Sequence, residues 1–96
     1  MSIKPVLTAS YWSGSTASFS AAASGAPAPT VQWQVSTDTG DTWSPISGAT
    51  SATYSFTTSP TQNGYEYEAV FTNTAGQATT NPAILTVTTT LPAITA

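Results

Sequence analysis

The sequence predicts an all-β sandwich of about seven short antiparallel strands. Three observations carry that reading. Apolar and polar residues alternate along Val31–Val35 and along Tyr65–Phe71, the period of a strand with one buried face. Clusters of Gly, Pro, Ser and Asn interrupt the chain at roughly 8- to 12-residue intervals, as they do in sandwiches. No segment repeats apolar residues at helical spacing over the length of a helix.

Taken in order, Ile3 to Thr8 reads as a first edge strand, where Pro5 is tolerated because an edge needs fewer ladder donors. Ala9 to Gly14 continues it raggedly, with Tyr11 expected inward and Trp12 outward, since adjacent residues face opposite ways. Thr16 to Ser24 follows, with Ala17, Phe19, Ala21 and Ala23 on one face. Gly25 to Pro29 is a stiff connection, because each Pro fixes its own φ and extends its predecessor. In Val31–Val35, Trp33 is the only large aromatic, so it is expected at the centre of the core.

Pro45 to Ser51 reads as a short edge segment with a turn, and Ala52 to Thr58 as a strand with Tyr54 and Phe56 inward. Ser59 to Gly64 is a turn cluster. Tyr65 to Asn73 turns Tyr65, Tyr67, Ala69 and Phe71 inward and Glu66, Glu68 and Val70 outward. Thr74 to Gln77 closes a hairpin. Asn81 to Thr88 is the last strand, with Ala83, Leu85 and Val87 inward.

Between these strands, Ser36-x-Asp38-x-Gly40-x-Thr42-Trp43 has its own local logic. Asp38 can accept from turn amides. Gly40 supplies a positive φ. Ser36 and Trp43 can meet across the two strands, with the ring covering the hairpin. The pattern resembles an Asp box, a structural element of several unrelated folds, and implies a stable hairpin without catalysis.

Composition narrows the function. Charged residues are 5% of the 96, against a usual quarter or so, with one Lys, no Arg and no His. That leaves no cationic footprint for nucleic acid or anionic lipid. The net charge of −3 comes from sparse charge and is not an acidic surface. There is no Cys, hence no disulfide, thiolate nucleophile or sulfur ligand. No apolar run approaches the roughly 18 residues of a membrane helix. The first residues, MSIKPVLTAS, lack the charged and apolar regions of a secretory signal.

At this point the residues match a family. Phe19-x-Ala21, Gly25-x-Pro27-x-Pro29 and Trp33 resemble strand B, the B–C loop and the strand C tryptophan of an immunoglobulin-like domain of the I-set kind. Asn63 to Gly76 resembles strand F, with Tyr67 at its tyrosine-corner position, and Ala83-x-Leu85-x-Val87 resembles strand G. The form is similar to domains found in tandem in bacterial surface and secreted proteins. The resemblance implies Greek-key connections and a core of Phe19, Ala21, Trp33, Tyr54, Phe56, Tyr67, Ala69, Phe71 and Leu85. The family's two inter-sheet cysteines fall on Ala21 and Ala69, so the aromatic residues must hold the core without a bridge.

Pro5-Val6-Leu7-Thr8-Ala9 recurs as Pro92-Ala93-Ile94-Thr95-Ala96, an offset of 92 − 5 = 87 residues. The expected layout is therefore a domain over 1–88, with 89–96 a linker or the start of a following repeat.

Chemistry is scarce. Without His or Cys, a nucleophilic Ser lacks its usual partner. Glu66 and Glu68 read as a solvated strand face more readily than as a glycosidase pair. Asp38 and Asp41 fall short of the six or more oxygens of a Ca²⁺ site, and Asp38 is occupied within the hairpin. No catalytic residue, cofactor or metal is expected. Trp12 is the candidate ligand contact. The expectation is a non-catalytic spacer or presentation module on a bacterial surface or in a secreted protein, partnered by neighbouring repeats. The alternatives are a module that binds a glycan or protein, or a domain decorating a phage virion, assembled in the cytoplasm.

Overall fold

The structure, a computed structural model, describes residues 2–4 and 8–88. Ten strand segments run in order: β1 (Ser2–Ile3), β2 (Ala9–Trp12), β3 (Thr16–Ser20), β4 (Ala23–Ser24), β5 (Thr30–Ser36), β6 (Ser44–Pro45), β7 (Thr53–Thr57), β8 (Glu66–Asn73), β9 (Gly76–Thr79) and β10 (Ala83–Thr88). A single 3-10 turn, Pro60–Gln62, is the sole helical element among the described residues.

The strands form two layers. One carries the antiparallel pairs β3–β7 and β1–β4. The other has the order β2-β10-β8-β5-β6, with β9 beside β8. All pairs are antiparallel except β2 with β10, which run parallel from Ala9 opposite Leu85 to Trp12 opposite Thr88. The chain's first strand is thus shared, with β1 in one layer and β2 in the other. The all-β sandwich the alternation predicted is the observed fold.

Several boundaries differ from expectation. The single strand expected over Thr16–Ser24 breaks at Ala21–Ala22, because the neighbour changes there. The Ala21 amide donates to the Ala52 carbonyl, while the Ala22 carbonyl accepts from Lys4 on the opposite side. Of the strand expected over Ile3–Thr8, only Ile3 is in β1, and Pro5–Leu7 lie outside the described residues, as does the segment 89–96. The edge segment expected over Pro45–Ser51 reduces to β6 and a loop bound to Trp33. Gln77 stands in β9 and not in the turn, which is Thr74–Ala75 alone.

The core lies between the layers. Trp33, Ala17, Ala69, Ala83 and Leu85 are fully shielded, and Phe19, Tyr67, Phe71, Ala21 and Val87 nearly so. Five rings span both layers. Phe19 and Tyr67 stack at 5.1 Å, Phe56 lies 5.2 Å from Tyr67, and Tyr54 reaches both Phe56 at 5.0 Å and Trp33 at 6.3 Å. These offset and tilted pairs are the favoured aromatic geometries. Tyr54 and Phe56, expected in the core, are only partly buried, because β7 is an edge strand. Burial raises the pKa of the Tyr67 phenol, and that of Tyr54 to a lesser degree.

Trp33 is also a hub of hydrogen bonds. Its indole Nε1–H donates to the Ser51 carbonyl at 2.8 Å, its amide to Ala49, and its carbonyl accepts from Ile46. Gln32 Nε2 donates to the carbonyls of Trp33 and Ile46, both at 2.8 Å. The loop after β6 is thereby tied down over β5.

Candidate functional site

Among the described residues, three places bear groups capable of chemistry or recognition: the β5–β6 hairpin, the outer face of β8, and the end of β2.

In the hairpin, Asp38 organises the turn. Its Oδ1 accepts from Ser36 Oγ at 2.8 Å and from the Thr42 amide at 2.9 Å, and its Oδ2 accepts from Thr42 Oγ1 at 2.5 Å. Ser36 Oγ in turn accepts from the Gly40 amide at 2.8 Å. Gly40 holds φ +92° and Thr39 +59°, so the chain turns back through two left-handed residues. The Thr42 hydroxyl and amide, then Ser36, stabilise the carboxylate and lower its pKa to about 2. Asp38 is therefore ionised across the working pH range and serves as a turn acceptor. Ser36 is fully buried beneath this turn, and Trp43 is half-buried beside it.

On β8, Glu66 and Glu68 share the outward face, where Ser36 and Gln34 are their neighbours on β5. Both are half-buried, more covered than a solvated face. They are central in the sheet, and strands on both sides shield them. Burial, and then the Glu66 charge, raise the Glu68 pKa. The Glu66 carboxylate leans to the hairpin: a Cβ built on Gly40 would stand 3.5 Å from its Oε1. No group of three or more acidic, His or Cys residues among the described residues is placed to hold a metal ion.

At the end of β2, Trp12 is 51% exposed, the most exposed large apolar side chain described, with Ile84 next at 46%. Its backbone is held firmly. The Trp12 carbonyl accepts from Ser15 Oγ at 2.6 Å and from Thr58 Oγ1 at 2.9 Å, and the Ser13 amide donates to Thr88. Trp12 faces outward with Ser10, beside Thr86 and Thr88 of β10.

Two further groups escaped the sequence reading. Thr80 is buried, and its Oγ1 accepts from the Ala69 amide at 3.0 Å. The Tyr11 hydroxyl accepts from the Ser18 amide at 3.1 Å and donates to the Ser18 carbonyl at 3.2 Å. A break in alternation at Thr80-Asn81-Pro82 was the available signal for the first. Nothing in the local sequence marks the second.

The layers, the parallel β2–β10 pair and the Trp33 core define an immunoglobulin-like module without cysteines. Comparisons agree. The chain superposes on a chimeric titin Z1Z2-Z1Z2 tandem carrying a GRGDS peptide from fibronectin, with a TM-score of 0.65 and 29% identity over 88% of this chain and 47% of that one. Residues 7–89 match the family described as Domain of unknown function (DUF8696), and the chain belongs to it. It is also 43% identical over 82 residues to Endoglucanase C of Cellulomonas fimi, a match that covers 85% of this chain and 7% of the endoglucanase.

Proposed function

We propose that the chain is a non-catalytic immunoglobulin-like module that spaces or presents neighbouring domains in a larger exported bacterial protein, such as a polysaccharide-degrading enzyme. The observation that carries this is the match to a segment making up only 7% of Endoglucanase C. A segment so small beside its host is an accessory part. The side chains agree with that role: His and Cys are missing from the sequence, Asp38 is committed to its turn, and the two glutamates stand side by side on one sheet face. The hairpin, read as an Asp-box staple, adds rigidity in place of a disulfide.

A second reading, glycan binding, is favoured by Trp12 alone. An exposed, backbone-anchored indole beside the hydroxyls of Ser10, Thr86 and Thr88 has the chemistry of a sugar-stacking platform. Affinity electrophoresis in soluble β-glucans and a pull-down on insoluble cellulose separate the two. The spacer reading expects no retardation and no depletion from solution. Retention that disappears in Trp12→Ala would replace it with the binding reading.

A further inference from the structure

We infer that the free edge of β7 is a self-association site, through which two copies of this chain join their β3–β7 layers into one continuous antiparallel sheet. The inference is independent of the spacer reading.

It starts from hydrogen-bond parity. The bonds from Ala21 to Ala52 and from Thr58 to Ser15 fix which pairs of the β3–β7 ladder exchange bonds. Because such pairs alternate, Tyr54 and Phe56 point their amides and carbonyls at β3. Thr53, Ser55 and Thr57 point theirs away from it. The closer, non-bonded pairs then bring hydroxyls together, as seen for Ser18 with Ser55 at 3.0 Å and Ser20 with Thr53 at 3.1 Å. Among the described residues no strand lies beyond β7.

The opposite edge of the same layer is covered at its middle and past its end. By the same parity, Ser18 turns its backbone away from β7, and there the Tyr11 hydroxyl satisfies both its amide and its carbonyl. Lys4 and β1 pair with the chain just beyond β3, at Ala22 to Ser24. In the second layer, β6 is two residues long and carries Pro45, a common guard of exposed edges. By contrast β7 is five residues, Thr53–Thr57, without Pro, charge or bulge. The loop that would cover it is instead bound over Trp33, and leaves a groove between Ser47–Ser51 and Thr53, Tyr54 and Ser55.

A second copy fits this edge by symmetry. A twofold axis at Ser55 sets Ser55 against its own copy and Thr53 against Thr57 of the second copy, all in bond-exchanging register. Tyr54 then faces Phe56 of the second copy, which covers rings that stay partly exposed in the single chain. The outer hydroxyl ladder continues across the junction. The near absence of charge, with one Lys and four acidic residues per chain, removes any strong repulsion.

Sedimentation velocity over a concentration series tests this on the intact chain. The weight-average mass is expected to rise from 9.8 kDa toward twice that value. Ser55→Lys sets two like charges opposite each other and is expected to abolish the rise while circular dichroism still reports a folded β-sheet protein with a melting temperature independent of concentration. Ser55→Cys, the sole thiol, is expected to form a covalent dimer on mild oxidation, whereas Ser10→Cys on β2 does not. Should Ser55→Lys fail to fold, the Ser55→Cys result decides. A chain that stays monomeric at every concentration overturns the inference. So does a dimer that persists in Ser55→Lys, or a Ser55→Cys variant that stays uncrosslinked.

Discussion

Thr80 and Ala69 form a closed pair in which a side chain replaces a strand. The Thr80 amide donates to the Ala69 carbonyl at 2.9 Å, and the Ala69 amide donates to Thr80 Oγ1 at 3.0 Å. The pairing explains how β9 becomes β10. Val70 pairs with Thr79, and Tyr67 with Ala83, so the register sum steps from 149 to 150. One residue, Glu68, therefore stands opposite two, Asn81 and Pro82, which is a β-bulge. The extra residue keeps Thr80, Ala83, Leu85 and Val87 all facing the core. Pro82, which lacks a ladder donor, falls inside the bulge.

The first prediction tests this pair. Thr80→Val keeps the shape but removes the acceptor, which strands the Ala69 amide in the core. Denaturant melts are expected to show a loss of about 1–3 kcal/mol, the usual cost of an unsatisfied buried donor. Thr80→Ser is expected to retain most of the stability. Equal losses in the two variants would assign the effect to packing.

Trp33 offers a second test. Trp33→Phe removes the indole donor to Ser51 and leaves space between the layers. Truncating a buried Trp to Ala typically costs about 3–5 kcal/mol, a large part of a small domain's total. The Ala variant is expected to be unfolded at 25 °C by circular dichroism, and the Phe variant folded with a lowered melting temperature.

For the hairpin, the prediction concerns pH. The Asp38 pKa is about 2 in the fold against an ordinary value of 3.8. A depressed carboxyl contributes stability that is complete above the unfolded value and is lost as pH falls through the folded one. The hairpin is therefore expected to loosen between about pH 4 and pH 2. Carbon-detected titration of the Asp38 carboxyl, with amide shifts of Gly40 and Thr42 following the same curve, measures this. Asp38→Asn is expected to remove the transition.

A fourth prediction concerns the outer edge of β3. Tyr11→Phe deletes the hydroxyl that satisfies both backbone groups of Ser18. Amide exchange at Ser18 is expected to accelerate several-fold, with a global loss of about 1 kcal/mol or less. Unchanged exchange would mean that water protects this edge as well as the phenol does.

Most of the sandwich was legible because strand alternation maps directly onto burial. Tyr67, Ala69 and Phe71 on β8, and Ala83, Leu85 and Val87 on β10, alternate in sequence and are buried in the structure. What escaped the sequence were tertiary events. The break at Ala21–Ala22 depends on which strand lies alongside, and no local pattern encodes a change of neighbour. The role of Thr80 needs the register of two strands at once. Tyr11 was placed inward by alternation, but its bond to Ser18 crosses between layers. The candidate site was the least legible, since Trp12 is informative only through its exposure and its place beside β10.

The central claim is that this is an immunoglobulin-like register in which Ala21 and Ala69 occupy the positions of an absent bridge. Both are buried, at 7% and 0% exposure. The double variant Ala21→Cys with Ala69→Cys tests it most directly, by thiol titration and thermal melting after mild oxidation. The account predicts one intramolecular disulfide, worth about 4 kcal/mol in the chain-entropy picture, and a melting temperature raised by about 10 °C or more. Two titratable thiols in the folded, oxidised variant would contradict it.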